Sequence, residues 1–328
     1  MRSRLIAALL LCLAAGAAWG QASPSVDSDH DGLSDALEEL LLTQFAPRLM
    51  VSREDCSVLP ATFAAEERVP RVVSDDGTLY GQAFPVKDGI ELHFYHLWRR
   101  DCGELGHALD AEHVSALLEQ GAEGRWQARY WYAAAHEDTV CDASQITRAA
   151  TVDAEKTGAR VWISAGKHAS FLHEELCAYG CGGDRCRAME ELKTSRIVNM
   201  GEEGAPMHGA VWVRAAAWPL LDKMRRSDFS TVRVKRLERL PESDIAWANP
   251  AKRPMQATIL GGNAGAGGAA TGVRATDAAL AVADDHTEDA LGTAMQSTGT
   301  ALSKSFRNVR KALGQTTRKT GEALGVTP

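Results

Sequence analysis

Apolar and polar residues alternate in short runs through the middle of the chain. A period of two is the signature of a strand with one face buried. Ile90, Leu92 and Phe94 alternate with Glu91, His93 and Tyr95, predicting a strand over 90–98. Trp126, Ala128, Tyr130 and Tyr132 alternate with Arg125, Gln127, Arg129 and Trp131, predicting another over 125–133. Further strands are expected at 79–84, 115–119, 160–164 and 209–213, with Gly77-Thr78 and Asp88-Gly89 as separators. Helices are expected at 34–44, 174–178 and 220–226. The sum is a mainly β chain, an antiparallel β-sandwich with short helices over 45–255.

The pattern changes at both ends. Residues 1–22 read as a secretory signal: Arg2 and Arg4 precede an apolar run from Leu5 to Ala18, and small residues allow cleavage after Gly20 or Ala22. Residues 256–275 read as a linker, because 260–272 is almost wholly Gly, Ala and Asn. In the tail, 276–328, Ala279, Ala290, Ala301, Ala312 and Ala323 recur every eleven residues, a period that fits a nearly straight helix. Gly292, Gly299, Gly314 and Gly321 weaken that helix by roughly 1 kcal/mol each relative to Ala. The tail is therefore read as helical or disordered. Its basic later half, from Lys304 to Lys319, suits an anionic membrane surface.

Composition adds compartment and partners. The 328 residues are 45% hydrophobic and carry a formal net charge of −7, so no whole-protein basic field points to nucleic acid. Beyond the leader stand six cysteines: Cys56, Cys102, Cys141, Cys177, Cys181 and Cys186. An even set in an exported chain, secreted or periplasmic, reads as disulfides, with 15 pairings open. A bridge at Cys102 would fix the neighbouring Asp101.

The most specific motif runs from Asp27 to Glu38. Asp27, Asp29 and Asp31 fall at positions 1, 3 and 5 of a calcium-binding EF-hand loop. Gly32 makes its turn, Leu33 offers a carbonyl, Asp35 serves position 9, and Glu38 closes at 12. An acidic helix cap explains one Asp but not the whole register. Without an entering helix, this N-terminal calcium loop-helix (23–44) resembles the loops of dockerins and thrombospondin type 3 repeats. A structural Ca²⁺ site is expected.

A second cation site is expected at Gly106-His107-Ala108-Leu109-Asp110-Ala111-Glu112-His113-Val114. On a strand, Asp110 and Glu112 share one face and His113 takes the other. Asp101 lies at the end of the preceding strand. Three carboxylates and one imidazole suit Ca²⁺, Mg²⁺ or Mn²⁺. His168 is a candidate cleft residue, and His136-Glu137-Asp138 reads as a surface turn.

The stretch is similar to the Gly-His-Arg-His-Asp-Trp-Glu signature of the necrosis- and ethylene-inducing-peptide-like proteins. Gly106, His107, Asp110 and Glu112 match; Ala108, Leu109 and Ala111 do not. The resemblance implies a β-sandwich in which Asp101, His107, Asp110 and Glu112 hold a divalent cation. The Asp-x-Glu-His-Val pattern, Ser164 to Phe171, and the opening Gln44 to Val51 also resemble the vacuolar-protein-sorting-associated family of unknown function. Three functions follow as expectations. The first is a secreted cation-binding protein that docks on a surface, glycan or lipid head group. The second is a metal-dependent hydrolase in which Glu112 or His168 moves protons. The third is a structural envelope protein with stabilising calcium sites.

Overall fold

A computed structural model describes residues 26–64, 69–103, 106–178, 180, 184–202, 205–207, 223–224, 226–252 and 258–260. The expected leader, the strand at 209–213, most of 220–226, the tail and nearly all of the linker lie outside the described residues.

In chain order the elements are α1 (Asp35–Gln44), β1 (Arg48–Ser52), β2 (Ala61–Phe63), β3 (Val72–Asp75), β4 (Thr78–Val86), β5 (Gly89–Arg100), β6 (Ala108–Gln120) and β7 (Trp126–Ala133). There follow β8 (Gln145–Arg148), β9 (Arg160–Ile163), β10 (Ser170–Phe171), α2 (Glu174–Cys177), β11 (Met189–Glu191) and β12 (Arg196–Asn199). The last are β13 (Gly201–Glu202), β14 (Ala205–Pro206), α3 (Thr231–Glu238), β15 (Asp244–Trp247) and β16 (Thr258–Leu260). An eight-stranded sheet runs β12-β4-β5-β6-β7-β8-β15-β16, and a four-stranded sheet runs β10-β9-β1-β11. Pairing is antiparallel except between β4 and β12 and between β1 and β9, which are parallel. Residues 258–260, just inside the expected linker, pair with β15.

The two sheets close on one core. Leu92, Phe94, Trp98, Val114 and Trp131 of the large sheet meet Leu49, Val51, Val161, Ile163 and Phe171 of the small one. Helix α1 starts at its Ser34 cap, whose Oγ accepts from the Leu37 N–H at 3.3 Å, and it buries Leu41 and Leu42 in that core.

Alternation does not leave a solvated face here: Glu91, His93 and Tyr95 are each 0% exposed. The second face of the large sheet is covered too. Ala61 and Phe63 of β2, with Met200, pack over Tyr95 and Leu97. Phe229, Leu237 and Leu240, in and around α3, pack over Tyr130 and Tyr132. The central strands are thus buried on both sides. Period two shows that the faces differ in chemistry, not that one is wet. Helix α3 gave no sequence signal because Leu237 is its single buried residue among charged ones.

Close packing is testable at Gly89, where β5 leaves its hairpin. A Cβ there would lie 1.9 Å from the Leu118 carbonyl oxygen of β6. Gly89→Ala is expected to destabilise the fold by about 2–3 kcal/mol, since backbone of the partner strand must give way. Urea denaturation reads this directly; a midpoint equal to that of the parent chain contradicts the approach.

Candidate functional site

The N-terminal loop folds around its carboxylates. Asp27, Asp29 and Asp31 each place a side-chain oxygen within 4.8 Å of the other two. Gly32 turns the chain at φ 96°, a region that favours glycine, and its N–H donates to Asp27 Oδ2 at 3.1 Å. The Leu33 N–H donates to Asp31 Oδ1 at 2.7 Å, while the Leu33 side chain leans on the main core. Asp35 closes the loop by accepting from the Ser28 N–H at 2.7 Å and the Ser28 hydroxyl at 2.6 Å. Glu38, one turn into α1, is 0% exposed and neither carboxylate oxygen has a hydrogen-bond partner. Burial, then the charges of Asp29, Asp31, Asp35 and Asp27, push its carboxyl up to about 9. A carboxylate in this setting takes a proton or a cation. The residues present fit a hard, oxygen-liganded divalent ion.

At the second stretch, Asp110 and Glu112 do share one face of β6, opposite Trp98 and His96 of β5. His113 faces the other way, its Nε2 3.0 Å from Asp228 Oδ2. Of the four expected ligands, Asp101 and His107 meet each other, while Asp110 and Glu112 contact residues outside the set. Asp101 Oδ2 accepts from Lys167 Nζ at 3.0 Å and lies 3.6 Å from His107 Nε2. His107 Nδ1 is 3.0 Å from the Leu109 carbonyl. Asp110 Oδ2 lies 2.9 Å from His168 Nδ1. Glu112 Oε2 lies 3.9 Å from Lys223 Nζ and has no hydrogen-bond partner. Among the described residues, no three of these ligands bring their atoms within 4.8 Å of one another. Burial, countered by Lys223 and reinforced by Asp110, pushes Glu112 up to about 8.

His168 is the hub of this face. It is 0% exposed, with Nε2 3.6 Å from Asp55 Oδ1 and its ring stacked on Trp98 at 4.2 Å. Burial opposes its charge, but the hydrogen bond to Asp110 and the nearby carboxylates of Asp110 and Asp55 prevail and push it up to about 9. An imidazolium flat on indole gains a cation–π contact as well. Next to it, Trp98 Nε1–H donates to His96 Nδ1 at 2.8 Å. His96 is thereby left to donate from Nε2 to Ser170 Oγ at 2.9 Å. Burial first, then the charge of His168, hold His96 well below the usual histidine range.

A disulfide joins Cys56 to Cys102 and another joins Cys177 to Cys186. Cys141 is disulfide-bonded too, and Cys181 lies outside the described residues. The first bridge flanks Asp55 and Asp101. The Cys102 and Gly103 N–H groups both donate to the Gly166 carbonyl, at 2.8 and 2.9 Å. Beside them lies a pocket of about 550 Å³ lined by Arg99, Arg100, Asp101, Gly103, Gly106 and His107. Asp55, Lys167 and Lys223 were not singled out in the sequence. Only the Asp55-Cys56 adjacency and the place of Lys167 in the quoted patch hinted at the first two. The turn at His136-Glu137-Asp138 is not a plain surface turn: Glu137 is buried, accepts from Tyr132 Oη at 2.5 Å and pairs with Arg226.

No protein-family model matches this sequence, and no curated protein matches it. Solved structures do. One is described as NLPPya in complex with glucosamine, at 14% identity over 58% of this chain and 82% of that one, TM-score 0.32. Another is the necrosis and ethylene inducing protein 2 from the causal agent of cocoa's witches' broom disease, at 18% identity over 46% and 76%, TM-score 0.30. A third is described as a toxin fold for microbial attack and plant defense, at 15% identity over 45% and 77%, TM-score 0.27.

The His168 clamp makes a pH prediction. Its folded pKa, about 9, lies above the ordinary histidine value of 6.5. A raised base stabilises the fold fully below its unfolded pKa, and that contribution is lost as pH climbs through the folded one. In chelator, urea midpoints of the parent chain should fall between pH 6.5 and 9 more steeply than those of His168→Gln. The difference between the two chains isolates this group from Glu38, which titrates in the same window. Parallel profiles contradict the clamp.

Proposed function

We propose that this is a divalent-cation-binding β-sandwich protein that docks on hydroxyl- or phosphate-bearing head groups, of glycan or lipid, beside the loop between β5 and β6. The observation that carries the reading is Glu112. It is a buried carboxylate with an unpartnered oxygen, on the same strand face as Asp110 and pushed up to about 8 by burial ahead of any charge. A cation held by Asp101, His107, Asp110 and Glu112 would take over the role that Lys167 and Lys223 fill in its absence. Both ammonium groups sit on flexible four-carbon stems, and Lys223 would give up its 2.6 Å hydrogen bond to the Ala111 carbonyl on moving away. The adjoining pocket, lined by Arg99 and Arg100 as well as Asp101 and His107, gives a head group both charge signs to meet.

The loop at Asp27 to Glu38 would hold a second ion, Ca²⁺, with a structural task, supported by the orphaned Glu38 oxygens. The disulfides support an oxidising, secreted or periplasmic setting. The hydrolase reading gains nothing from His168. A buried imidazolium clamped by two carboxylates orients Asp110; it is not poised to accept a proton at neutral pH.

Two measurements test the reading. For the loop, Ca²⁺ should raise the melting temperature of the parent chain, and Asp31→Ala or Glu38→Gln should remove most of that gain. Equal responses in parent and variants defeat the loop site. For the strand ends, titration calorimetry with Ca²⁺, Mg²⁺ and Mn²⁺ on the full chain carrying Glu38→Gln should show a strand-end site. Asp110→Asn or Glu112→Gln should abolish it, and retention on arrayed glycans or lipid head groups should vanish with it and with chelator. Head-group retention that persists in chelator, or no binding of the three ions to the Glu38→Gln chain, defeats the strand-end site.

A further inference from the structure

The face of β5 and β6 opposite Asp110 and Glu112 carries a second set of metal-ligand side chains. His93, His113 and Asp228 are each 0% exposed and bring one ligand atom each within 4.8 Å of one another. The two imidazoles stack with a 4° tilt and a 5.8 Å centroid separation. His113 Nε2 is 3.0 Å from Asp228 Oδ2, and His93 Nε2 is 3.8 Å from the same oxygen. Glu91 Oε1 completes the set, 2.8 Å from His93 Nε2. These three separations bracket the roughly 3.3 Å between ligand atoms of a tetrahedral Zn²⁺ site.

The outward ring nitrogens fit as well. His93 Nδ1 lies 3.3 Å from Tyr95 Oη, whose hydroxyl donates onward to Gln82 Oε1 at 3.2 Å. Tyr95 therefore offers His93 a lone pair. His113 Nδ1 faces Glu137 Oε2 at 3.9 Å, and Glu137 is itself held by Tyr132 and Arg226. Tyr95 thereby leaves Nε2 of His93 for the inner side. His113 Nδ1 has no hydrogen-bond partner, and closing its gap to Glu137 would complete the outer-shell contact that fixes metal-binding histidines. The carboxylates are anchored too. Glu91 accepts from the Asp228 N–H and the Ser227 hydroxyl, both at 2.8 Å, and Asp228 accepts from Ser115 Oγ at 2.6 Å. Asp228 Oδ1 is buried with no hydrogen-bond partner.

We propose that Glu91, His93, His113 and Asp228 form a buried structural site for a borderline divalent transition metal of the Zn²⁺ type. Two imidazoles and two carboxylates, enclosed on all sides, select such an ion over Ca²⁺ or Mg²⁺, which take oxygen. The ion joins strands β5 and β6 to the segment that leads into α3, across 115 residues of sequence between His113 and Asp228.

The test uses the full chain carrying Glu38→Gln and Glu112→Gln, which silences the two sites proposed above and keeps their failure separate from this one. After chelator stripping, Co²⁺ should bind in one equivalent with the visible absorption of a tetrahedral centre, and Zn²⁺ should displace it. His93→Asn and His113→Asn should lose the absorption, and Glu137→Gln should weaken Zn²⁺ binding by about 10- to 100-fold. Because core histidine variants can fail to fold, X-ray absorption at zinc in the unsubstituted chain gives an independent reading. Two imidazole nitrogens and two oxygens near 2.0–2.2 Å are expected. Absence of the Co²⁺ absorption, its persistence in a folded His113→Asn chain, or a zinc shell without imidazole overturns the site.

Discussion

The large sheet is covered on both faces, and its central strands still carry Glu91, His93, His96, Asp110, Glu112, His113 and Ser115. Burial takes these groups out of bulk solvent, and an unpaired buried polar atom costs about 1–3 kcal/mol. Each must find a partner within the fold, and that requirement shapes everything around β5 and β6. It draws Asp228 in from the far end of the domain, places Ser170 beneath His96, and sets His168 between Asp55 and Asp110. The apolar core holds the two sheets together, while the polar contacts fix their relative register, since a small slip would break several hydrogen bonds at once.

The two faces solve the problem differently. On the inter-sheet face, carboxylates at the strand ends are matched by lysines and a histidine from other elements, and Glu112 is left incompletely matched. On the opposite face, Glu91 and Asp228 are met chiefly by two imidazoles, backbone and hydroxyls, with the Arg233 guanidinium 4.0 Å from Asp228 Oδ1. Partners on long flexible stems suit a place where something comes and goes. Short, stacked rings suit a place that is filled once and kept.

Much of this was legible in the sequence, and the gaps have physical causes. Period two located β4, β5, β7 and β9, and the Ser34 cap located α1. The same parity rule put Asp110 with Glu112 and sent His113 the other way. The neighbour of Cys102 was seen to matter, but nothing in the spacing selected Cys56 among 15 pairings. Alternation could not tell a solvated polar face from a buried polar one. The partners that settle the matter, Asp55, Lys167 and Asp228, are distant in sequence and meet the strands only after folding. Helix α3 is mostly charged and shows no apolar stripe, so its role as a lid on Tyr130 and Tyr132 depends on a few residues at and beyond its ends.

The bridge between Cys56 and Cys102 bears on the order of assembly. Its two half-cystines stand next to Asp55 and Asp101, which belong to different sheets' worth of chain and to different partners. In the reduced chain the two segments are still held by their hydrogen bonds to the turn around Gly166. Oxidation adds a covalent tie beside both carboxylates in one step. The placement of Asp55 and Asp101 is therefore linked to redox state, and a reductant that cuts the bridge loosens both together.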